Sequence, residues 1–118
     1  MIQSFRDLSV WQKSMELTVR VYTITDQFPP GERFGLTSQM RRAAASIPSN
    51  IAEGKAIGGL NYPRQLRIAH GSEAELHTQI ELARRLKLLS DTDADDLSAR
   101  ASEIGRMLVG LVRALPKQ

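Results

Sequence analysis

The chain has 118 residues, no cysteine, 5% aromatic residues and a formal net charge of +3, with an isoelectric point near 9.7. That length suits one domain with a single core, and the absence of cysteine excludes a disulfide framework or a thiolate metal site and makes a reducing cytoplasm the expected compartment. Hydrophobic content of 42% with so few aromatics favours helices packed through Leu, Ile, Val, Met and Ala; no apolar run nears the ~20 residues that span a bilayer, and mild basicity permits an anionic partner without demanding one.

Turn signals at Pro29-Pro30-Gly31, Gly58-Gly59 and Ser90-Asp91 divide the chain. Between them, apolar residues recur with a period of about 3.6, which predicts helices over 6–27, 34–57, 61–89 and 92–115. The start, MIQSFRDLSVWQK, lacks the basic-then-apolar pattern of a signal peptide. No strand-like alternation, internal repeat or low-complexity tract is evident. Short connections between long helices make antiparallel neighbours. The expected architecture is all-α: an up-down-up-down antiparallel four-helix bundle, one domain over residues 1–118.

The first helix carries two apolar stripes. Leu8, Trp11, Met15, Val19 and Tyr22 form one. Val10, Leu17, Val21, Ile24 and Phe28 form another on nearly the opposite side, at ~100° per residue. Small Ser14, Thr18 and Thr25 join them. A lone bundle buries one stripe, so the second reads as a self-association surface, expected at Leu17, Val21 and Ile24.

The second helix contains RRAAASIPSNIAEG, residues 41–54. Pro48 sits inside it, removes the backbone bond to the Ala44 carbonyl and crowds that oxygen; a bend is the usual result. Leu36, Met40, Ala43, Ala44, Ile47, Ile51 and Gly54 share a face of mostly small residues that lets a neighbouring helix come close. Beside it runs a polar row: Gln39, Arg42, Ser46, Asn50 and Glu53. Residue physics leaves two readings of the row, a solvated face or a seam against another helix or subunit.

In the third helix, Asn61 followed by Pro63 reads as a cap with proline in the first turn. His70, Glu73, His77 and Glu81 fall in one row. Di-iron bundles need Glu-x-x-His on two helices, and the fourth helix has no histidine, so no metal or other cofactor is expected. The favoured reading is an i,i+4 Glu73–His77 pair. A buried Glu73 would need a partner, and His77 is the candidate. Ser72 near His70 and Glu75 lacks a nucleophile elbow, and Gly58-Gly59 lacks the phosphate-loop pattern; no enzyme activity is expected. The fourth helix opens on aspartates that suit its dipole and shows one stripe: Leu97, Ala101, Ile104, Leu108, Leu111 and Leu115.

FRDLSVWQKSMEL, FPPGERFGLTSQMRRAAASIPSNIAEG and RIAHGSEAELHTQIELA together resemble the 23S rRNA-intervening sequence protein family, from Phe5 to about Leu115. The most specific part is QMRRAAASIPSNIAEG at Gln39–Gly54. The resemblance implies a four-helix bundle that assembles as a homo-oligomer, a pentamer, with a non-enzymatic binding role. It also favours the seam reading of Gln39, Arg42, Ser46, Asn50 and Glu53, within the bundle or at the subunit contact.

The bundle topology polarises the charge. One end gathers Arg6, Lys13, Lys55, Arg64, Arg67, Arg106, Arg113 and Lys117 against Asp7, Glu16 and Glu53. At the other end, Arg33, Arg41, Arg42, Arg84, Arg85 and Lys87 are offset by Asp26, Glu32 and four aspartates at 91, 93, 95 and 96. Repeated around a cyclic oligomer, the basic end makes a ring that attracts phosphate backbones without reading bases. Lys55, Arg64, Arg67, Arg106 and Arg113 are the expected contacts with structured RNA or DNA. The alternative is a protein-interaction scaffold that binds no nucleic acid.

Overall fold

Helices form where the periodic stretches lie. The computed structural model describes residues 4–116, with α1 at Ser9–Thr25, α2 at Leu36–Ile57, α3 at Asn61–Arg85 and α4 at Asp91–Ala114. Before α1, Phe5–Asp7 wind into a 3₁₀ turn closed by a capping box. The Arg6 N–H donates to Ser4 Oγ at 3.0 Å, and the Ser4 N–H to the Asp7 carboxylate at 3.2 Å. That turn delays α1 relative to the sequence expectation. Ser90 caps α4 by accepting the Asp93 N–H at 3.1 Å.

Two boundaries differ for backbone reasons. Asn61 is not the cap of α3: it is the first helical residue, and Leu60 before it makes no side-chain cap bond. Gly58 and Gly59, at φ 75° and 57°, turn the chain so tightly that their carbonyls accept the Asn61 and Tyr62 N–H groups at 3.2 and 3.3 Å. At the other end, α3 stops at Arg85 instead of continuing to 89. Lys87 adopts φ 61°, the Lys87 N–H reaches the Arg84 carbonyl and the Leu88 N–H reaches that of Ala83. This is a Schellman closure with lysine in the left-handed position usually given to glycine.

The helices pack in ring order, α1 on α2, α2 on α3, α3 on α4 and α4 on α1, without diagonal contacts among the described residues. Every neighbouring pair runs antiparallel. Thr18 meets Ala44, while Arg41, earlier in α2, meets Thr25, later in α1. Ser46 meets Ser72, while Gly54 meets Gln65. His77 meets Ser102, while Arg84 meets Asp91; Lys13 meets Glu103, while Arg20 meets Asp96. The bundle measures 46 × 22 × 22 Å. Among the described residues no helix is long and apolar enough to cross a membrane.

α2 runs unbroken through Pro48. The Ala44 carbonyl loses its i+4 donor there, because proline has no N–H. Thr18 supplies a replacement: its hydroxyl, 2.7 Å from the Ser14 carbonyl, also lies 3.1 Å from Ala44 O, so one proton is shared between two acceptors. A buried carbonyl with no donor would be costly, and this contact fixes the rotation of α1 against α2. The small α2 face also works as expected. A Cβ at Gly54 would stand 2.8 Å from Gln65 Cβ, so α3 approaches too closely there for any larger residue.

The rotation of α1 corrects one expectation. Leu17, Val21 and Ile24 are core residues, not a self-association surface; with Val10 and Phe28 they are buried inside the monomer. Of the other stripe, Met15, Val19 and Tyr22 face outward, at 40%, 63% and 45% exposure, while Leu8 is buried and Trp11 packs against the core. Both stripes are apolar, so hydrophobicity alone could not choose between them. Buried Ser14 and Thr25 mark the side that approaches α2.

Leu17→Ala is therefore expected to lower unfolding free energy by roughly 2–5 kcal/mol, measured by urea denaturation. Thr18→Val is expected to lose about 1 kcal/mol, and much less in a Pro48→Ala background, where a restored N–H serves Ala44. Full additivity in that double-mutant cycle would show that the two residues do not share the carbonyl.

Candidate functional site

Arg106 and Arg113 stand seven residues apart on one face of α4, and Arg67 and His70 stand three apart on the facing side of α3. The two helices therefore bring these side chains to one groove. At its end, Arg67 and Arg113 border a cleft of about 640 Å³ floored by Tyr62, Pro63, Val112 and Leu115. Towards the middle, His70, Glu73, Ser102, Gly105 and Arg106 line a continuation of about 540 Å³, which Arg113 also borders. An apolar stretch of Leu66, Leu108 and Val109 joins them between Arg67 and Arg113.

None of Arg67, Arg106 and Arg113 has a carboxylate within ion-pair distance among the described residues. The opposite end is mixed: Arg33, Arg42 and Lys87 are outside ion-pair distance of a carboxylate among the described residues, while other cations there are paired. Arg41 meets Asp26, Arg84 meets Asp91, and Arg20 reaches both Asp93 and Asp96. Arg20 and Arg100 hold the Asp96 carboxyl below the usual carboxylate range, with the Arg20 hydrogen bond the larger cause.

Not every expected cation belongs to the groove. Lys13 is 3.1 Å from Glu103 and is neutralised there. Lys55 lies over the Tyr62 ring at 5.6 Å, and Arg64 is exposed outside the groove lining. Lys117 lies outside the described residues. The nearby aromatics serve packing: Phe5 and Trp11 stack edge-on at 5.3 Å, and burial pushes the Tyr62 hydroxyl pKa up.

Glu73 is the groove's one carboxylate and is only 5% exposed. His70 Nδ1 lies 3.0 Å from its Oε1 and His77 Nε2 2.5 Å from its Oε2. His77 is the partner that the spacing predicts; His70 is a second one that the spacing did not single out. Gly105 on α4 makes the room. A Cβ there would stand 2.6 Å from Glu73 Oε1. A mid-helix glycine facing a charged residue was the available signal. Ser102 Oγ lies 3.5 Å from His77 Nε2, the same nitrogen that meets Glu73. A serine–histidine–acid relay needs the two ring nitrogens on different partners, so this geometry does not make one.

Glu81 leaves the row. Hydrogen bonds from Arg84 and Arg85 engage it and lower its pKa to about 2. Among the described residues, no three His, Cys, Asp or Glu side chains are grouped to hold a metal.

The polar row on α2 divides. Ser46 hydrogen-bonds Ser72 across the α2–α3 seam at 2.9 Å, and Asn50 Nδ2 donates to the Ser46 carbonyl at 2.8 Å. Gln39, Arg42 and Glu53 remain exposed. Gln39 and Arg42 border a shallow depression with Glu75 and Gln79.

The family model described as 23S rRNA-intervening sequence protein matches residues 6–110. A protein of unknown function from the S23 ribosomal protein family of Bacteroides thetaiotaomicron has a crystal structure similar to this one. Its TM-score is 0.80 at 23% identity, covering 89% of this chain and 99% of that one; it supports the fold. No curated protein matches.

Gly105→Ala is expected to lower stability by roughly 1–3 kcal/mol, because the new Cβ overlaps a confined carboxylate. Gly110→Ala, where a Cβ meets nothing within 4 Å, is expected to raise it by up to ~1 kcal/mol. Urea denaturation of the two variants checks the difference in sign.

Proposed function

Because the chain belongs to the 23S rRNA-intervening sequence protein family, we propose that it is a non-enzymatic, homo-oligomeric bundle that binds structured RNA or DNA by the phosphate backbone. The α3–α4 groove is the contact. The observation that carries this reading is the alignment of Arg67, Arg106 and Arg113 along one groove without carboxylate partners. A neighbouring carboxylate would compete with phosphate. Glu73 is occupied by two histidines and competes little. Lys55 and Arg64 stand beside the groove and add attraction at longer range. With Phe5, Trp11 and Tyr62, the aromatics nearest the groove, engaged in packing, base stacking is not the recognition mode there, so sequence preference is weak.

In a cyclic oligomer the groove repeats around the assembly. The many copies raise avidity for a folded nucleic acid that meets several at once.

Fluorescence anisotropy with a labelled RNA hairpin and a matched DNA duplex, across a salt series, tests the proposal. Binding is expected to weaken steeply with salt, and Arg67→Gln and Arg113→Gln are each expected to reduce the salt slope by about 1. Arg33→Gln at the opposite end is expected to leave binding unchanged. Absence of binding at low salt would favour the scaffold alternative, with a protein as the partner.

A further inference from the structure

We infer that α1 of one copy seats against the α2–α3 face of the next, with Met15, Val19 and Tyr22 lying along α3 between Ile68 and Leu82. This names the surfaces of the homo-oligomer proposed above and rests on that reading.

Two apolar faces in this chain lack cover. Among the α-helices, α1 packs on α2 and α4, which leaves Met15 and Val19 outward at 40% and 63% exposure; beside them Tyr22 is 45% exposed, with the Arg41 guanidinium over its ring at 4.5 Å. α3 lies diagonally across the bundle, and Ile68 (43%) and Leu82 (47%) are exposed on its outside. The stripe from Met15 to Tyr22 spans about 10 Å and the α3 face about 21 Å, so one receives the other along its length. Diagonal placement points the faces in opposite directions. One contact then satisfies both and repeats head to tail, closing into a ring when the rotation from copy to copy closes and running on as a filament when it does not.

Three further observations favour a second copy as the occupant. Gly71 lies within α3 between Ile68 and Leu82, exposed, with nothing within 4 Å of a Cβ placed there. A glycine inside a helix is unfavourable, and its own chain gives no packing reason for it; close approach by another helix gives one. One charge pair is available across the contact, beside Glu75 on the α3 side. Glu16 beside the α1 stripe and Arg42 beside the α2–α3 depression each lack an ion-pair partner among the described residues. Finally, Gln79 in that depression is buried with its side-chain oxygen lacking a donor. Pairing α1 with α1 instead leaves the α3 face uncovered.

The chain has no cysteine, so introduced ones report cleanly. Val19→Cys protein mixed with Thr78→Cys protein is treated with a short bis-maleimide. A mixed link joining position 19 of one chain to position 78 of another is expected, and the double variant is expected to link into a closed multi-chain ladder. Val19→Asp is expected to reduce the light-scattering mass to one chain, 13.1 kDa, with helical circular dichroism unchanged. Links only between two Val19→Cys chains, or a Val19→Asp protein that stays oligomeric, would overturn the contact while leaving the oligomer intact. A wild-type protein monomeric at every concentration would overturn the homo-oligomer reading and the contact with it.

Discussion

The Ala44 carbonyl loses its i+4 donor because Pro48 carries no N–H, and Thr18 reaches across from α1 to share its proton with it. A proline inside a helix usually forces a choice between a broken ladder and an unsatisfied oxygen. Here a neighbouring helix removes the conflict, and α2 stays continuous for 22 residues. The contact has a positional consequence. It requires the Ser14–Thr18–Thr25 side of α1 to face α2, which turns Leu17 and Val21 into the core and Met15, Val19 and Tyr22 out. The uncovered stripe and the packed interior are two results of one rotation.

A second polar device acts between α3 and α4. A carboxylate inside a bundle needs partners, and Glu73 takes two from its own helix and a hollow from the facing one. Glu73 is held by histidines of its own helix, and the arginines along the same groove stand outside ion-pair distance of any carboxylate among the described residues. The ion pairs of the opposite end engage Asp91, Asp93 and Asp96, three of the four aspartates near the start of α4. The uneven charge of the molecule thus comes from where carboxylates find partners. Net charge does not reveal it.

Fold class was legible in the sequence because it rests on local signals: turn residues between periodic stretches, the aspartates that open α4, and apolar spacing. The side of α1 that turns inward was not legible, since both stripes are apolar and the deciding bond joins residues 26 apart. Asn61 looked like a cap because asparagine caps are common; the paired glycines before it supply carbonyls that make one unnecessary. Lys13 counted as a free cation because its partner Glu103 is distant in sequence. The Glu73–His77 pair was readable from i,i+4 spacing. The role of Gly105 depended on which face of α4 meets α3, which only the packed bundle defines.

The fit of Glu73 against Gly105 restricts the order in which this groove can change over generations. A side chain at 105 is admissible only after position 73 has become smaller or has swung away. A smaller residue at 73 is admissible first, since it leaves a hollow and causes no clash. Lineages that diverge here should therefore pass through the reduced residue at 73 before they gain a side chain at 105. The two positions form a ratchet, with its direction set by less than the width of a methyl group.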